Sequence, residues 1–477
     1  MSLRKKTIKG FFWAGISQFG RQGVQLLITF MLARLLSPSD YGVVGIAAVF
    51  VGFFSLFSGL GFEGALIQKK VVLDAELNSV FWLNLAVSAL MCGALAAGAG
   101  YVASFYQVAQ LREILPVLSL TIAIVPLGGV HQTILTKEMR FREMALRDII
   151  SMVISGAAGI IMAVKGFGVW SLVAQALVFN LTSVGMFWYL CRWRPELSFS
   201  AEALSGIRGF AGNMVGFRLT NYWARNADSL LIGKFLGPMN LGYYSLAYKI
   251  MLFPLQNFAA VIGQVLFPAL SEIQNDLKKV GEVYLEMLKG ISLVTYPLMM
   301  LVAGIAFEFI PAVFGAKWLP AARIVQVLAV CGAVQSTLSP CGNIILALGR
   351  ADLQLRYGAV GAVWTVLSIV AGARWGLIGI SIAYASGQVI WAMVVHGVLM
   401  TRLTGTDMRG YLGAVKNSLL IGASVLAATL AAGALPVSGS RMLAAKCLSA
   451  FFTYGLLLLA FREYKFIEKQ FSSRLAG

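Results

Sequence analysis

Fourteen apolar runs follow one another along this chain with only short polar gaps between them. They lie near residues 11–33, 42–66, 80–103, 114–135, 149–164, 168–190, 210–233, 241–266, 290–313, 323–348, 355–373, 376–400, 414–434 and 442–461. About 20 mainly apolar residues make one helical crossing of a bilayer, and the fifth run is the shortest. In lipid every backbone N–H and C=O must be satisfied inside the segment, so apolar runs of this length are read as helices. Composition agrees: 59% of the residues are hydrophobic and 12% charged, with mean hydropathy +0.80. A soluble domain carries about 25% charged residues. The expected fold class is an all-α integral membrane protein of about 14 transmembrane helices, with no loop long enough to fold as a separate soluble domain.

The formal charge of +18 would suggest nucleic acid in a soluble protein. Here the basic residues sit in the gaps between runs, where they set topology and meet anionic headgroups. Dense clusters fall on alternate gaps: Arg4, Lys5, Lys6 and Lys9; Lys69 and Lys70; Lys137, Arg140, Arg142 and Arg147; Arg192, Arg194 and Arg208; Lys278, Lys279 and Lys289; Arg350 and Arg356; Arg402, Arg409 and Lys416; and Arg462, Lys465, Lys469 and Arg474. The intervening gaps hold mostly single cations such as Arg34, Arg112, Lys165 and Lys234. The alternation predicts an even number of spans with both termini cytoplasmic. The basic N-terminus precedes a full-length span without a small-residue cleavage site, which reads as a retained first helix. The five cysteines form no CxxC pair and the two histidines, His131 and His396, stand far apart, so no metal centre is expected. There is no phosphate-binding glycine loop for ATP. Asp74 and Glu76 read as solvated loop charges rather than catalytic carboxylates.

An internal repeat at an offset of 200 residues organises the chain. Arg34-Leu-Leu-Ser-Pro-Ser-Asp-Tyr-Gly42 matches Lys234-Phe-Leu-Gly-Pro-Met-Asn-Leu-Gly242, with Leu36/Leu236, Pro38/Pro238, Gly42/Gly242 and Ala47/Ala247 in register. Both stretches join one span to the next. Proline stops a helix and glycine permits a tight turn or a close approach. Six spans per repeat is an even number, so the two insert the same way round, as in transporters that rock two lobes about a central site. The expected lobes are 1–200 and 201–400, with 401–477 carrying two further helices and a tail.

The first and seventh runs each carry a polar stripe. Gln18, Arg21, Gln22 and Gln25 share one helical face, as do Arg218, Asn221, Arg225 and Asp228. The offset maps Gln18 onto Arg218, Arg21 onto Asn221 and Gln25 onto Arg225. An arginine at mid-bilayer costs about 2.5–3.5 kcal/mol on insertion scales, so these side chains are expected to face a wet cavity or another helix. A cationic cavity for an anionic headgroup is one reading; Arg225 and Asp228, one turn apart, also suit a pair that locks helices together. Lys249 in the eighth run lines the same cavity or snorkels to the surface. Glu63, near the end of the second run, is the candidate for ion coupling, with a surface pair to Lys69 or Lys70 as its alternative. His131 reads as a satisfied interfacial histidine, with titration as its alternative. Pro116, Pro126, Pro254, Pro297 and Pro340 predict kinks.

Short motifs in a fixed order add a resemblance. They are Met1-Ser-Leu-Arg-Lys-Lys-Thr-Ile, Ala33-Arg-Leu-Leu with Tyr41-Gly, Ala65-Leu-Ile-Gln-Lys-Lys70, Phe81-Trp-Leu-Asn84, Lys137-Glu-Met-Arg-Phe141, Leu241-Gly-Tyr-Tyr-Ser-Leu-Ala-Tyr248, Val265-Leu-Phe-Pro-Ala-Leu270, Val313-Phe-Gly-Ala-Lys-Trp318 and Leu346-Ala-Leu-Gly-Arg-Ala-Asp352. Together the chain resembles the polysaccharide transporter branch, Wzx-type and colanic-acid-exporter-like, of the MOP superfamily of MATE-like flippases. The resemblance implies two parallel six-helix lobes plus two C-terminal helices. It implies movement of an undecaprenyl-pyrophosphate-linked oligosaccharide from the inner to the outer leaflet by alternating access, driven by a proton or sodium gradient, with no cofactor and no enzymatic step. It places Arg21, Arg218 and Arg225 at the pyrophosphate or at acidic sugars, and makes lipid-linked oligosaccharide, membrane lipids and polysaccharide polymerase machinery the partners, with no role for nucleic acid. A lipid II flippase and a MATE-type multidrug or ion antiporter share this architecture and stand as alternatives.

Overall fold

The computed structural model describes residues 22–58, 62–69, 72–200, 226–253, 273–437 and 439–466, together with Gly20, Glu202, Tyr222, Trp223, Leu255 and Leu270. Regular structure among them is helical throughout. The chain divides into two compact units, Met1–Gly242 and Tyr243–Gly477.

The first unit contains α1 (Gln22–Leu35), α2 (Pro38–Ser58), α3 (Phe62–Gln68), α4 (Asp74–Tyr106), α5 (Leu111–Ile124), α6 (Pro126–Lys137), α7 (Phe141–Val164) and α8 (Trp170–Leu190). The long helix α9 (226–253) begins in it. The second unit takes the rest of α9 and continues with α10 (Leu277–Phe314), α11 (Leu319–Ala347), α12 (Ala351–Gly372), α13 (Gly376–Val394), α14 (Met408–Ala432) and α15 (Ser440–Ala460). A π-helical turn, Val395–Met400, and a last α-turn, Thr401–Thr404, extend α13.

Ten helical runs among the described residues are long and apolar enough to cross a membrane. One of them, Asp352–Thr404, is a hairpin. It reverses at Gly376 (φ 67), and α12 and α13 return side by side, with Trp364 Nε1 donating to Gly387 O at 2.7 Å and Tyr357 stacked on Trp391. On α12 the apolar side chains Val360, Val363, Leu367 and Val370 are exposed at helical spacing, the pattern of a lipid-facing stripe. The fourth run breaks at Pro126, which starts α6 rather than merely kinking α5; Pro116, Pro297 and Pro340 do lie inside helices. Pro254 lies outside the described residues.

Several helices outrun their apolar stretches. The ninth run, expected at 290–313, belongs to a helix of 38 residues that starts at Leu277. Lys278, Lys279, Glu282 and Glu286 are good helix formers, and hydropathy does not sense that. The fifth run, expected at 149–164, is extended back to Phe141. Arg147 is therefore inside a helix, not in a loop. Its guanidinium lies over the Phe187 ring at 4.1 Å, pairs with Asp148 at 2.9 Å and donates to Ser183 Oγ.

In the second unit α10 is the hub, packed on α11, α14 and α15. Its contact with α14 uses small and hydroxyl residues: Gly304 abuts Thr429, and Ser292 Oγ donates to Ser418 Oγ at 2.8 Å. Two ion pairs tie α10 to the chain's last segment. Lys289 Nζ meets Glu463 at 2.8 Å, with Asn417 donating to the same carboxylate at 2.7 Å. Lys446 Nζ meets Glu308 at 2.6 Å and also donates to Gly304 O at 3.2 Å. Lys446 is thus buried within the unit. Lys289 and Glu308 are nineteen positions apart, about 28 Å at 1.5 Å per helical residue, close to the roughly 30 Å of a bilayer's hydrocarbon core. Charge is tolerated on this hub helix at the two levels where a membrane would end. Glu308→Ala leaves a buried ammonium unpaired and is expected to cost about 3–5 kcal/mol. The combined Glu308→Leu and Lys446→Met change restores most of it, as thermal unfolding of detergent-purified protein would show.

Candidate functional site

The repeat seen in the sequence closes on itself in the first unit. α1 ends before Pro38, which begins α2; α9 turns at Gly237 (φ 80), immediately before Pro238. A Cβ on Gly42 would collide with the carbonyl of Pro238, and a Cβ on Gly242 with the carbonyl of Pro38. The reciprocity is what two equivalent helices crossing about a local two-fold axis produce. Glycine is required at both places because backbone meets backbone. Around this crossing Tyr222 donates its hydroxyl to Val49 O at 2.6 Å, close against Gly52, and Trp223 packs on Phe53 at 5.0 Å. Lys234 Nζ donates to Phe105 O and covers the Phe105 ring. Tyr222 and Trp223 are thereby anchored on α2, and Lys234 on α4.

The stripes themselves are described only in part. Gln25 on α1 is exposed and donates to Thr29 Oγ1 at 3.3 Å. Asp228 on α9 is buried, and its carboxylate accepts the Ser229 N–H at 2.7 Å. Lys249 is exposed on α9 and forms no ion pair or hydrogen bond among the described residues. Gln18, Arg21, Arg218, Asn221 and Arg225 lie outside the described residues.

Glu63 lies in α3, and residues 59–61 between α2 and α3 lie outside the described residues. One acidic residue differs from expectation. Glu76 is buried at 4% exposure rather than solvated. It pairs with Lys69 and accepts the Leu73 N–H at 3.1 Å, while Lys137 closes the corner by donating to Lys69 O at 2.6 Å and Leu66 O at 3.2 Å. The segment after α8 is pinned to the start of α4: Asn78 accepts Glu196 N–H at 3.0 Å, Ser79 Oγ accepts Ser200 N–H at 2.9 Å, and Trp82 Nε1 donates to Glu196 O at 2.8 Å. No hydropathy or periodicity signal marks these roles, because each depends on a partner distant in sequence. His131 is fully buried, stacked on Trp188 at 5.1 Å and edge-on to Trp193 at 5.3 Å; it is packed between rings rather than satisfied, since neither ring nitrogen has a hydrogen-bond partner among the described residues.

Comparison with known proteins places this architecture. Residues 31–323 match the model of a family described as polysaccharide biosynthesis protein. The chain belongs to that family. Among its relatives are the lipopolysaccharide biosynthesis protein WzxC of Escherichia coli, 26% identical over 86% of this chain and 84% of that one, and the teichuronic acid biosynthesis protein TuaB of Bacillus subtilis, 27% identical over 89% and 88%. The succinoglycan biosynthesis transport protein ExoT of Rhizobium meliloti is 26% identical over 83% and 79%. Among solved structures, the lipid II flippase MurJ in an inward closed conformation aligns with a TM-score of 0.76 over 95% of this chain and 99% of that chain at 16% identity. An inward-facing MATE family multidrug resistance transporter of the MOP superfamily aligns at 0.61, over 86% and 95%, at 18% identity. The fold is that of these transporters: a multi-pass, all-α membrane protein.

Proposed function

We propose that this family member is a flippase that carries an anionic, lipid-linked oligosaccharide from the inner to the outer leaflet, for assembly of a surface polysaccharide. The observation that carries the reading is a MurJ-like and MATE-like transporter fold on a chain whose family and full-length relatives serve polysaccharide biosynthesis. The substrate head is a glycan on pyrophosphate, too polar to cross lipid unaided. Guanidinium forks match phosphate geometry, and the basic stripe residues Arg21, Arg218 and Arg225, with Gln18, Gln25, Asn221, Asp228 and Lys249, are the proposed cavity lining. Two six-helix lobes, 1–200 and 201–400, alternate access around it. The work is transport rather than catalysis, the energy source is a proton or sodium gradient, and the polymerase that consumes the flipped unit is the natural partner.

The test is the leaflet distribution of undecaprenyl-pyrophosphate oligosaccharide in cells lacking the gene. Accumulation on the cytoplasmic leaflet, relieved by restoring the gene, is expected, and the trapped glycan then names the substrate. Trapped lipid II would move the assignment to peptidoglycan. No accumulation, with drug efflux instead, would move it to a MATE-type exporter. The proposed orientation in the cytoplasmic membrane, with both termini inside, predicts that Ser39→Cys reacts with an impermeant maleimide from outside, and Thr136→Cys only after permeabilisation. The reverse pattern overturns the topology.

A further inference from the structure

The second unit buries a histidine that the sequence pattern left without a role. His396 is 1% exposed and lies in the π-helical turn that extends α13. π-turns of this kind recur at functional sites. Three other helices converge on its ring. Tyr284 of α10 hydrogen-bonds Nδ1, Thr337 of α11 stands 3.3 Å from Nε2, and Tyr411 of α14 stacks on the ring with centroids 4.0 Å apart. Beyond them, Cys341 Sγ lies 3.8 Å from the Tyr284 hydroxyl, and Tyr357 of α12 faces both. Tyr296 of α10 faces Tyr411. Among the described residues no carboxylate, lysine or arginine touches the ring.

The contacts suit the tautomer with its proton on Nε2. The Thr337 hydroxyl donates to Val334 O at 2.7 Å, which leaves its oxygen to accept from Nε2–H at 3.3 Å and Nδ1 to accept from the Tyr284 O–H. This is a neutral histidine with one open lone pair, already engaged by a hydroxyl that has a second place to turn, the Cys341 sulfur. A proton taken up at Nδ1 is accommodated by rotating the Tyr284 O–H toward Cys341, so that its oxygen accepts from Nδ1–H. What is not accommodated is the charge: an imidazolium here has no anionic contact and is cut off from water, so the packed arrangement favours the neutral ring. The position also gives access. Tyr284 precedes Lys289, the clamp that marks one edge of the span, by five positions, about 7 Å along the helix. His131 lacks this wiring; its ring nitrogens make no hydrogen bond among the described residues.

We propose that His396 is a proton-binding site, filled at Nδ1 from the membrane face where α10 begins, and that its occupancy unlocks α10, α11, α13 and α14 from one another. The coupling of that event to substrate movement rests on the flippase reading; the proton binding does not. A ligand that binds the open state better than the packed one shifts the population by its difference in affinity.

With only two histidines in the chain, the full-length protein ring-labelled with ¹⁵N histidine in nanodiscs gives two ring signatures, and His131→Asn assigns them. Between pH 8 and pH 4 the His396 ring is expected to pass from the neutral Nε2–H form toward imidazolium, while intrinsic-rate-corrected amide exchange over residues 395–404 rises about tenfold or more. Tyr284→Phe keeps the ring packing, removes the hydroxyl at Nδ1 and displaces the midpoint. A ring that stays fully neutral to pH 4, or that titrates with no change in exchange, overturns the site. In proteoliposomes, a pH gradient is expected to accelerate movement of a fluorescent lipid-linked oligosaccharide by about tenfold, within the usual range of coupling factors, and the ratio of rates with and without the gradient falls to about one in His396→Asn. An unchanged ratio in His396→Asn overturns the coupling. A wild-type protein that moves no lipid-linked oligosaccharide under any gradient overturns the flippase reading and leaves the proton site to the titration.

Discussion

Gly42→Ala and Gly242→Ala are each expected to destabilise the protein by about 3 kcal/mol or more, the scale of overpacking that only backbone movement relieves. The added methyl at 42 meets the Pro238 carbonyl, and the one at 242 meets the Pro38 carbonyl. Neither neighbour is a side chain that turns aside; each is main chain held within a helix, Pro38 at the start of α2 and Pro238 inside α9. Relief requires the two helices to part, and parting them drags Tyr222 from Val49 O and Trp223 from Phe53. Loss of monodisperse protein after detergent extraction, or a large drop in unfolding temperature, checks it. Gly93→Ala and Gly98→Ala in α4 are the controls, since nothing lies within 4 Å of their added carbons; there alanine, the better helix former, is expected to be neutral or mildly stabilising. Because the crossing is reciprocal, the two variants should behave alike. A large effect at one and silence at the other would show that the repeat is not a structural two-fold.

That crossing was legible in the sequence because both copies of the motif carry the same constraint, a proline four residues before a glycine with no room for a side chain. Apolar runs gave the helices for a similar reason, since lipid demands internal satisfaction of every backbone group. Helix ends were less visible. Hydropathy stops where charge begins, whereas α10 continues through Lys278, Lys279, Glu282 and Glu286 because those side chains suit a helix in water as well as apolar ones suit it in lipid. Least legible were the polar partnerships. Glu76 reads as a loop charge until Lys69 and Lys137 are folded over it, and no pattern in the sequence pairs Lys446 with Glu308, 138 residues earlier. His396 belongs to the same class: Tyr284, Thr337 and Tyr411 come from three other helices. The arginine stripes are the reverse case, strong in the sequence, with only Gln22, Gln25 and Asp228 among the described residues.

Arg218→Ala and Arg225→Ala are each expected to lower export of the lipid-linked oligosaccharide by about 10- to 100-fold, the worth of one charge-assisted hydrogen bond to an anion, with the protein still inserted and folded. The double variant should fall to background. Two readings of Arg225 make different predictions here. If its guanidinium serves Asp228 as a helix lock, Asp228→Asn should be as damaging as Arg225→Ala, the pair together no worse than either, and the exchanged pair Arg225→Asp with Asp228→Arg should recover function. If it serves the pyrophosphate, Asp228→Asn should leave export largely intact, and the exchange should abolish it by placing a carboxylate where the anion passes. Lysine substitution refines the second case. It keeps the charge but loses the fork, so Arg225→Lys should retain binding of a generic anion while export falls. Unchanged export in both alanine variants would remove the cationic cavity from the mechanism and leave the flippase reading on the fold and the family alone.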